Sequence, residues 1–225
     1  MKISVIGASR GRPELFIRGI DSLINQANNI DDVEIIFRFD EDDEDTRKQI
    51  EEYYEGKNVD IKLLSGERHG YYFLNLYYDE CLKEASGEYV LFWTDDYEMS
   101  PDNEYCWDAQ IQELEGQIYI ADFPVLDTRE PYWRWPFATC VPRKLLDMSY
   151  RKNCPNMIFD KWICHGYLGI NDIWVRFPSK MIHHQVFSGN MAADKTYEEG
   201  RLAWDTGRLS GPKGGVKRAD IIAGK

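Results

Sequence analysis

The sequence has no long hydrophobic run and no recognisable secretory leader. Nowhere do about twenty apolar residues follow one another, so no membrane-spanning helix is predicted. Met1–Ile6 enters an apolar strand directly, without the basic, apolar and small-residue zones of a signal peptide. The five cysteines form no CxxC pair and leave one unmatched, which argues against a zinc knuckle or a disulfide framework and favours a reducing compartment. We therefore expect a soluble, cytoplasmic protein.

The chain is also poor in positive charge, with 27 Lys and Arg against 39 Asp and Glu and a formal net charge of −12. Proteins that bind nucleic acid normally carry a basic surface, and anionic membranes attract basic segments, so both kinds of partner are disfavoured. Much of the acidity falls within Asp31–Asp60, where the run Asp40–Asp45 has the composition of a solvated loop. No G-x-G-x-x-G fingerprint follows the first apolar run, which argues against a dinucleotide oxidoreductase.

What the first half of the sequence does contain is an alternation of apolar runs and amphipathic stretches. Short apolar runs bounded by turns are typical of buried parallel strands, and the stretches between them have helical spacing. At 225 residues the chain is long enough for one α/β domain with a mostly parallel central sheet flanked by helices, and short for two. The predicted strands are Ile3–Ala8, Val33–Phe39, Val59–Leu64, Tyr89–Trp93, Ile118–Phe123, Ile173–Phe177 and Lys180–His184, and the second half adds predicted helices at Arg143–Met148 and Phe159–His165.

Polar residues follow the predicted strands at the ends where parallel sheets usually bind ligands, so we expect them to converge on one crevice. The strongest signal is Asp95–Asp96, directly after a buried strand. Two adjacent carboxylates repel each other unless a cation or hydrogen-bond donors lie beside them, and a divalent ion that bridges a diphosphate supplies that compensation. A helix cap or a turn would also account for such a pair. The other strand-end residues are Ser9–Arg12, Asp40 and Ser65–Arg68.

The order of these motifs is typical of one large family. The motifs are Ile3–Ile6 with Ser9–Pro13, Val33–Ile36 ending in Asp40, Arg68–Gly70, Asn75, and Ala85–Phe92 leading to Thr94–Asp96. In these motifs, over roughly its first hundred residues, the sequence resembles the GT-A glycosyltransferases, especially the inverting family related to bacterial polysaccharide synthases. The resemblance implies a single GT-A, Rossmann-like domain. It also implies transfer of a sugar from a nucleotide-diphosphate sugar to a hydroxyl acceptor such as a glycan, with Mn²⁺ or Mg²⁺ as cofactor.

The resemblance assigns roles by position. Asp96 would be the metal-binding carboxylate, and Asp95 would contact the donor ribose or the ion. UDP is the implied nucleotide, with UDP-glucose as the default donor. Thr94 stands where a strict DxD motif has its first Asp, which leaves open which oxygen binds the metal. The residues implied to hold the nucleoside are Ser9, Arg10, Arg12 and Asp40, and the residue implied to approach uracil or the diphosphate is Arg68.

Three further candidates lie in the second half. Asp160 opens a helical-looking segment where an inverting enzyme of this family would place its base, although an aspartate there would equally stabilise the helix dipole. A late His completes the metal shell in several GT-A enzymes, and strand alternation sends only one ring of His183–His184 inward. We favour His184. The third candidate is an aromatic and basic loop, either an acceptor platform or a plug over the sheet, formed by Arg129, Tyr132, Trp133, Arg134 and Trp135.

We expect one domain over residues 1–205, with a nucleotide-sugar half at 1–100, an acceptor half at 101–205 and a flexible tail at 206–225. A nucleotidyltransferase would share the sheet, the ion and the Asp pair. Its phosphate loop, however, usually is Gly-rich and ends in Lys, whereas Ser9–Pro13 holds one Gly and two Arg. A non-catalytic protein that binds nucleotide sugars or carbohydrates is the other alternative, and it would bind donor and metal without turnover.

Overall fold

The computed structural model describes a central sheet and its flanking helices, over residues 1–126, 138–146, 174–184, 192–195 and 197–199. The strands are β1 Ile3–Ala8, β2 Val33–Asp40, β3 Asp60–Gly66, β4 Tyr89–Phe92, β5 Tyr97–Met99, β6 Ile120–Phe123, β7 Ala138–Pro142, β8 Trp174–Arg176 and β9 Met181–His183. Seven of them form one sheet in the order β3-β2-β1-β4-β7-β6-β8, in which β7 runs antiparallel to β4 and β6 while the other pairings are parallel. The direction of winding reverses between β1 and β4, which opens a crevice at their carboxyl ends.

Helices cover both faces of this sheet. They are α1 Pro13–Asn25, α2 Glu44–Tyr54, α3 Leu74–Glu84, α4 Trp107–Gln112 and α5 Arg143–Leu146. One apolar core packs α1, α2 and α4 against the sheet through residues such as Phe16 and Trp107, and a second core packs α3 and α5 against the other face through Cys81 and Leu145. Because both faces are covered, β1, β2 and β4 are almost fully buried, and this explains their near-continuous apolar sequence.

A small second sheet pairs β5 with β9 beside the carboxyl end of β4. Tyr97 of β5 lies opposite His183 of β9, so the pairing carries that histidine to the end of the central sheet. Helix α1 packs closely on β5 at Gly19, where a Cβ atom would stand 2.4 Å from the Tyr97 carbonyl oxygen. Only glycine allows this approach.

The predicted α/β architecture and its mostly parallel sheet are confirmed, and each predicted strand is present with ends shifted by at most two residues. The helix predicted at Arg143–Met148 is observed as Arg143–Leu146. Three elements, β5, α4 and β7, were not predicted. The helix predicted at Phe159–His165 and the tail at 206–225 lie outside the described residues. Within those residues, none of the helices has the length and apolar character needed to cross a bilayer.

A buried carboxylate, Glu34 of β2, joins three parts of the sheet at the end opposite the crevice. Its Oε1 accepts hydrogen bonds from Ser4 Oγ at 2.6 Å and from the backbone N–H groups of Ser86 at 2.5 Å and Gly87 at 3.0 Å. Lys2 Nζ lies 3.2 Å from its Oε2. Burial alone would raise the pKa of Glu34, but the donors outweigh burial and lower the pKa to about 2.

Glu34→Gln is expected to lower the free energy of unfolding by roughly 3 kcal/mol at pH 7, because the donors that lower the pKa of this carboxylate to about 2 stabilise its ionised form and an amide carries no charge. The ionised form supplies this stability. The difference from wild type should therefore be complete above about pH 4.5 and shrink as the pH falls towards 2. Urea unfolding between pH 3 and pH 7 measures it, with the exposed Glu52→Gln as the matched control. A difference that stays constant over that range would contradict the assignment.

Candidate active site

The carboxyl ends of β1, β2 and β4 open onto one cleft of about 250 Å³. The predicted convergence of strand-end residues is therefore observed. The roles of these residues stay predictions. The predicted residues that line the cleft are Ser9, Arg10, Arg12, Asp40, Arg68, Asp95 and Asp96, and lining residues that were not predicted include Tyr77, Thr139 and Glu199.

Asp95 lies at the centre of the cleft and is held from two sides. Ser9 Oγ donates to its Oδ2 at 2.7 Å, and Arg12 Nη1 lies 3.3 Å from its Oδ1. Burial raises the pKa of Asp95, the Arg12 charge opposes that rise, and the negative charge of Asp96 adds to it. Since both oxygens of Asp95 have partners, this carboxylate fixes the loop after β1 in place.

Asp96 is the more accessible member of the pair. The Thr94 hydroxyl donates to its Oδ1, and His183 Nε2 lies 3.3 Å from its Oδ2. Burial opposes ionisation of Asp96, but the His183 ring and the Thr94 hydroxyl outweigh burial and lower its pKa. Asp96 is therefore ionised at neutral pH and directed into the cleft.

The structure turns the ring of His183, and not that of the favoured His184, towards Asp96, while a metal-binding role for either stays a prediction. The ring of His183 faces Asp96 and packs edge-on against Tyr97, with ring centroids 4.8 Å apart. The ring of His184 points the other way, and its Nε2 lies 2.8 Å from Glu98 Oε2. Alternation along β9 does send the two rings to opposite sides, as expected, but its antiparallel pairing with β5 directs His183 inward.

Two arginines that the resemblance places at the donor are paired with carboxylates far along the chain. Arg12 Nε and Nη2 donate to the two oxygens of Asp194 at 2.6 and 2.7 Å. Arg68 pairs with Glu199 and lies 3.6 Å from Asp40. The segment that carries Asp194 and Glu199 thus forms one wall of the cleft.

Asp40, at the end of β2, is surrounded by donors. Arg10 Nη1 donates to its Oδ2 at 2.9 Å, and the Tyr77 hydroxyl donates to its Oδ1 at 2.6 Å. The same hydroxyl accepts hydrogen bonds from the backbone N–H groups of His69 at 2.9 Å and Gly70 at 3.0 Å. Burial, together with the bond to Asp40, raises the pKa of Tyr77 to about 12, so the phenol keeps its proton at neutral pH.

If Asp40 holds the nucleoside, as the resemblance implies, Tyr77→Phe should weaken UDP binding about fivefold, because Asp40 loses the hydroxyl that orients it and a hydrogen bond of this kind contributes about 1 kcal/mol. Calorimetric titration with UDP measures the change. Tyr53→Phe is the matched control, since Tyr53 is exposed and its hydroxyl bonds to Asp21 on α1 instead. Equal UDP affinity in the Tyr77 and Tyr53 variants would contradict a positioning role for Tyr77.

The residues at the end of β4 could bind a divalent cation whose coordination is completed by a bound ligand. In the described part of the chain, no three His, Cys, Asp or Glu side chains gather into a metal site of their own. Asp96 and His183 nevertheless offer a carboxylate and an imidazole 3.3 Å apart at the cleft wall. Mg²⁺ and related ions are commonly held by one or two protein ligands together with substrate phosphates and water. A bound diphosphate would supply the missing oxygen ligands.

Several predicted residues lie outside the described residues and stay predictions: Asp160 and the loop residues Arg129, Tyr132, Trp133, Arg134 and Trp135. Sequence reasoning missed Tyr77, Asp194, Glu199 and Thr139. Tyr77 lies in a run of aromatic residues with nothing to set it apart, and the two acidic residues are more than 100 positions from the arginines they contact.

A comparison with models of protein families identifies the family of this chain. The model of Glycosyl transferase family 2 matches residues 4–164, which is more than half of the chain. The chain belongs to glycosyl transferase family 2. A comparison with curated proteins gives no significant match.

Solved structures agree with a GT-A fold for this family 2 chain. Residues 1–349 of S. aureus TarS, solved with UDP, are 17% identical with a TM-score of 0.56, over 72% of this chain and 54% of that TarS fragment. Mannosyltransferase PcManGT from Pyrobaculum calidifontis, solved with GDP-Man and Mn²⁺, is 14% identical with a TM-score of 0.60, over 79% and 55% of the two chains. The chain thus spans about half the length of the TarS fragment and of PcManGT.

A similar fold is also found in a protein that is not named as a glycosyltransferase. The 4-diphosphocytidyl-2C-methyl-D-erythritol synthase of Anaerococcus prevotii is 15% identical with a TM-score of 0.57, over 89% of this chain and 97% of the synthase. Likeness at these identities shows the fold alone. The family match, rather than the fold, therefore favours glycosyl transfer over the alternatives.

Proposed function

We propose that this family 2 chain is a metal-dependent glycosyltransferase. It moves a hexosyl group from a nucleotide-diphosphate sugar, with UDP-glucose as the first candidate, to a hydroxyl acceptor with inversion. The observation that carries the proposal is the cleft at the β1–β4 reversal, where Asp95 and Asp96 meet the loop after β1 and Asp40. The family match and the ligands named for TarS and PcManGT support it.

The described residues divide the work along the cleft. Asp40 and Arg10 would orient the nucleoside, Arg12 and Arg68 would face the diphosphate, and Asp96 with His183 would hold the cation. When bound, a divalent cation acts as a Lewis acid for the leaving diphosphate. The electrostatic contribution of the chain is a set of fixed charges around the site where the leaving group gains negative charge.

The acceptor hydroxyl must lose its proton as it attacks the sugar, which calls for a carboxylate or a histidine beside it. Asp160 is the candidate base, and inversion depends on a single displacement assisted by that base. The acceptor itself is a hydroxyl compound whose identity the cleft does not specify.

The direct test is a panel of nucleotide sugars, including UDP-glucose, UDP-N-acetylglucosamine and GDP-mannose, incubated with and without Mn²⁺. Metal-dependent release of the nucleoside diphosphate from one donor is the expected result, since a slow reaction with water replaces the absent acceptor. Tight donor binding without release, even after glycan acceptors are added, would instead support a non-catalytic binder. Release of pyrophosphate from a nucleoside triphosphate and a sugar phosphate would support a nucleotidyltransferase.

A further inference from the structure

Thr139 of β7 carries a buried hydroxyl that has no hydrogen-bond partner among the residues that the structure describes. Its side chain is 1% exposed, and its Oγ1 contacts no donor or acceptor in the described part of the chain. A buried polar group without a partner is unfavourable by about 1–3 kcal/mol, so such a group usually has a reason to be retained. Thr139 also lines the cleft that contains Asp95 and Asp96.

The pleat of β7 turns the Thr139 side chain towards this cleft. The neighbours Ala138 and Cys140 lie in the core on the α1 face of the sheet. Side chains alternate along a strand, so Thr139 lies on the opposite face together with Val141, which belongs to the core on the α3 face. Phe92 of β4 belongs to the same core and also lines the cleft.

Along the sheet from β2 towards β7, Thr139 lies one strand beyond Asp95 and Asp96. Asp40 ends β2, Ser9 follows β1, Asp95 follows β4, and β7 comes next in the sheet. Neighbouring strands are about 4.8 Å apart, so the cleft runs about 10 Å from β2 to β4 and about 5 Å further to β7. A donor with its base at Asp40 and its diphosphate at Asp96 extends its sugar towards β7.

We infer that Thr139 Oγ1 binds a hydroxyl group of the donor sugar and contributes to the choice of sugar. This inference rests on the proposed function. A sugar hydroxyl both donates and accepts hydrogen bonds, as does a threonine hydroxyl, so the pair satisfies the unpartnered group when the donor binds. A nucleoside at Asp40 and a diphosphate at Asp96 would end one strand short of β7, so neither group would need Thr139.

The test compares Thr139→Val, which keeps the shape and removes the hydroxyl, with Thr139→Ser, which keeps the hydroxyl. Calorimetry with Mn²⁺ measures the Kd of UDP against UDP-glucose and of GDP against GDP-mannose. Thr139→Val should raise the Kd of the bound nucleotide sugar about tenfold and change that of the free nucleoside diphosphate less than twofold, as expected for one lost hydrogen bond. Thr139→Ser should stay near wild type.

A second readout separates binding from structure. Without donor, Thr139→Val should be at least as stable as wild type in urea unfolding, because it removes an unpartnered buried hydroxyl. A clear loss of stability would show that the hydroxyl already has a partner, and would overturn the inference. So would equal changes in Kd for nucleotide and nucleotide sugar. If wild type binds neither pair of ligands, the proposed function itself fails and the inference falls with it.

Discussion

Asp96→Ala is expected to reduce metal-dependent release of nucleoside diphosphate about a thousandfold, the size of effect seen when one strong electrostatic contact of a transition state is removed. Asp96 presents an ionised carboxylate to the cleft, with Thr94 on one oxygen and His183 on the other. Alanine removes the negative charge that would attract the proposed cation, together with the carboxylate that His183 faces. Initial rates over a Mn²⁺ titration measure the loss.

UDP binding in the absence of metal should change much less, because Asp40, to which Arg10 donates, ends β2 and lies two strands away from β4. Asp102→Ala, an exposed aspartate in the turn after β5, is the matched control and should keep wild-type rates. His183→Ala should lower the rate of nucleoside diphosphate release about tenfold and raise the Mn²⁺ concentration needed for half-maximal rate. The loss is smaller because Asp96, the other expected ligand, remains. A wild-type rate in Asp96→Ala would contradict the assignment of the metal site to this part of the cleft.

The nucleotide half of the fold could be predicted because its signals are local. Each of β1, β2 and β4 is a buried apolar run, and the residue that follows each run lies at the same edge of the sheet by the geometry of parallel strands. The convergence of Ser9, Asp40 and Asp95 therefore follows from the sequence once the strands are recognised. No further tertiary information is needed.

The remaining features depend on pairings that the sequence does not record. The inward ring is His183 because β9 pairs with β5 in one register, and a shift of one residue would have selected His184. Strand β7 is five residues long and inserts antiparallel between β4 and β6, so neither its presence nor the position of Thr139 is visible in hydrophobic periodicity. The contact between Arg12 and Asp194 spans 182 positions.

Arg12→Met is expected to lower the free energy of unfolding by about 3 kcal/mol, because breaking a buried ion pair leaves a carboxylate uncompensated. Arg12 is 8% exposed and bridges Asp194 and Asp95, of which Asp95 is also buried. Donor affinity should fall as well, since the same guanidinium lines the cleft proposed to bind the diphosphate. Arg10→Met is the matched comparison: Arg10 is partly exposed, so its loss should weaken donor binding while changing stability by less than about 1 kcal/mol.

The double variant Arg12→Met with Asp95→Asn distinguishes charge from packing. If the instability of Arg12→Met comes from the stranded charge of Asp95, neutralising that residue should restore at least half of the lost stability while donor binding stays weak. Urea unfolding of the two single variants and the double variant completes the cycle. Additive losses would instead mean that Arg12 stabilises the fold through its packing and its bond to Asp194. The positive charge of Arg12 beside Asp95 would then contribute to donor binding rather than to stability.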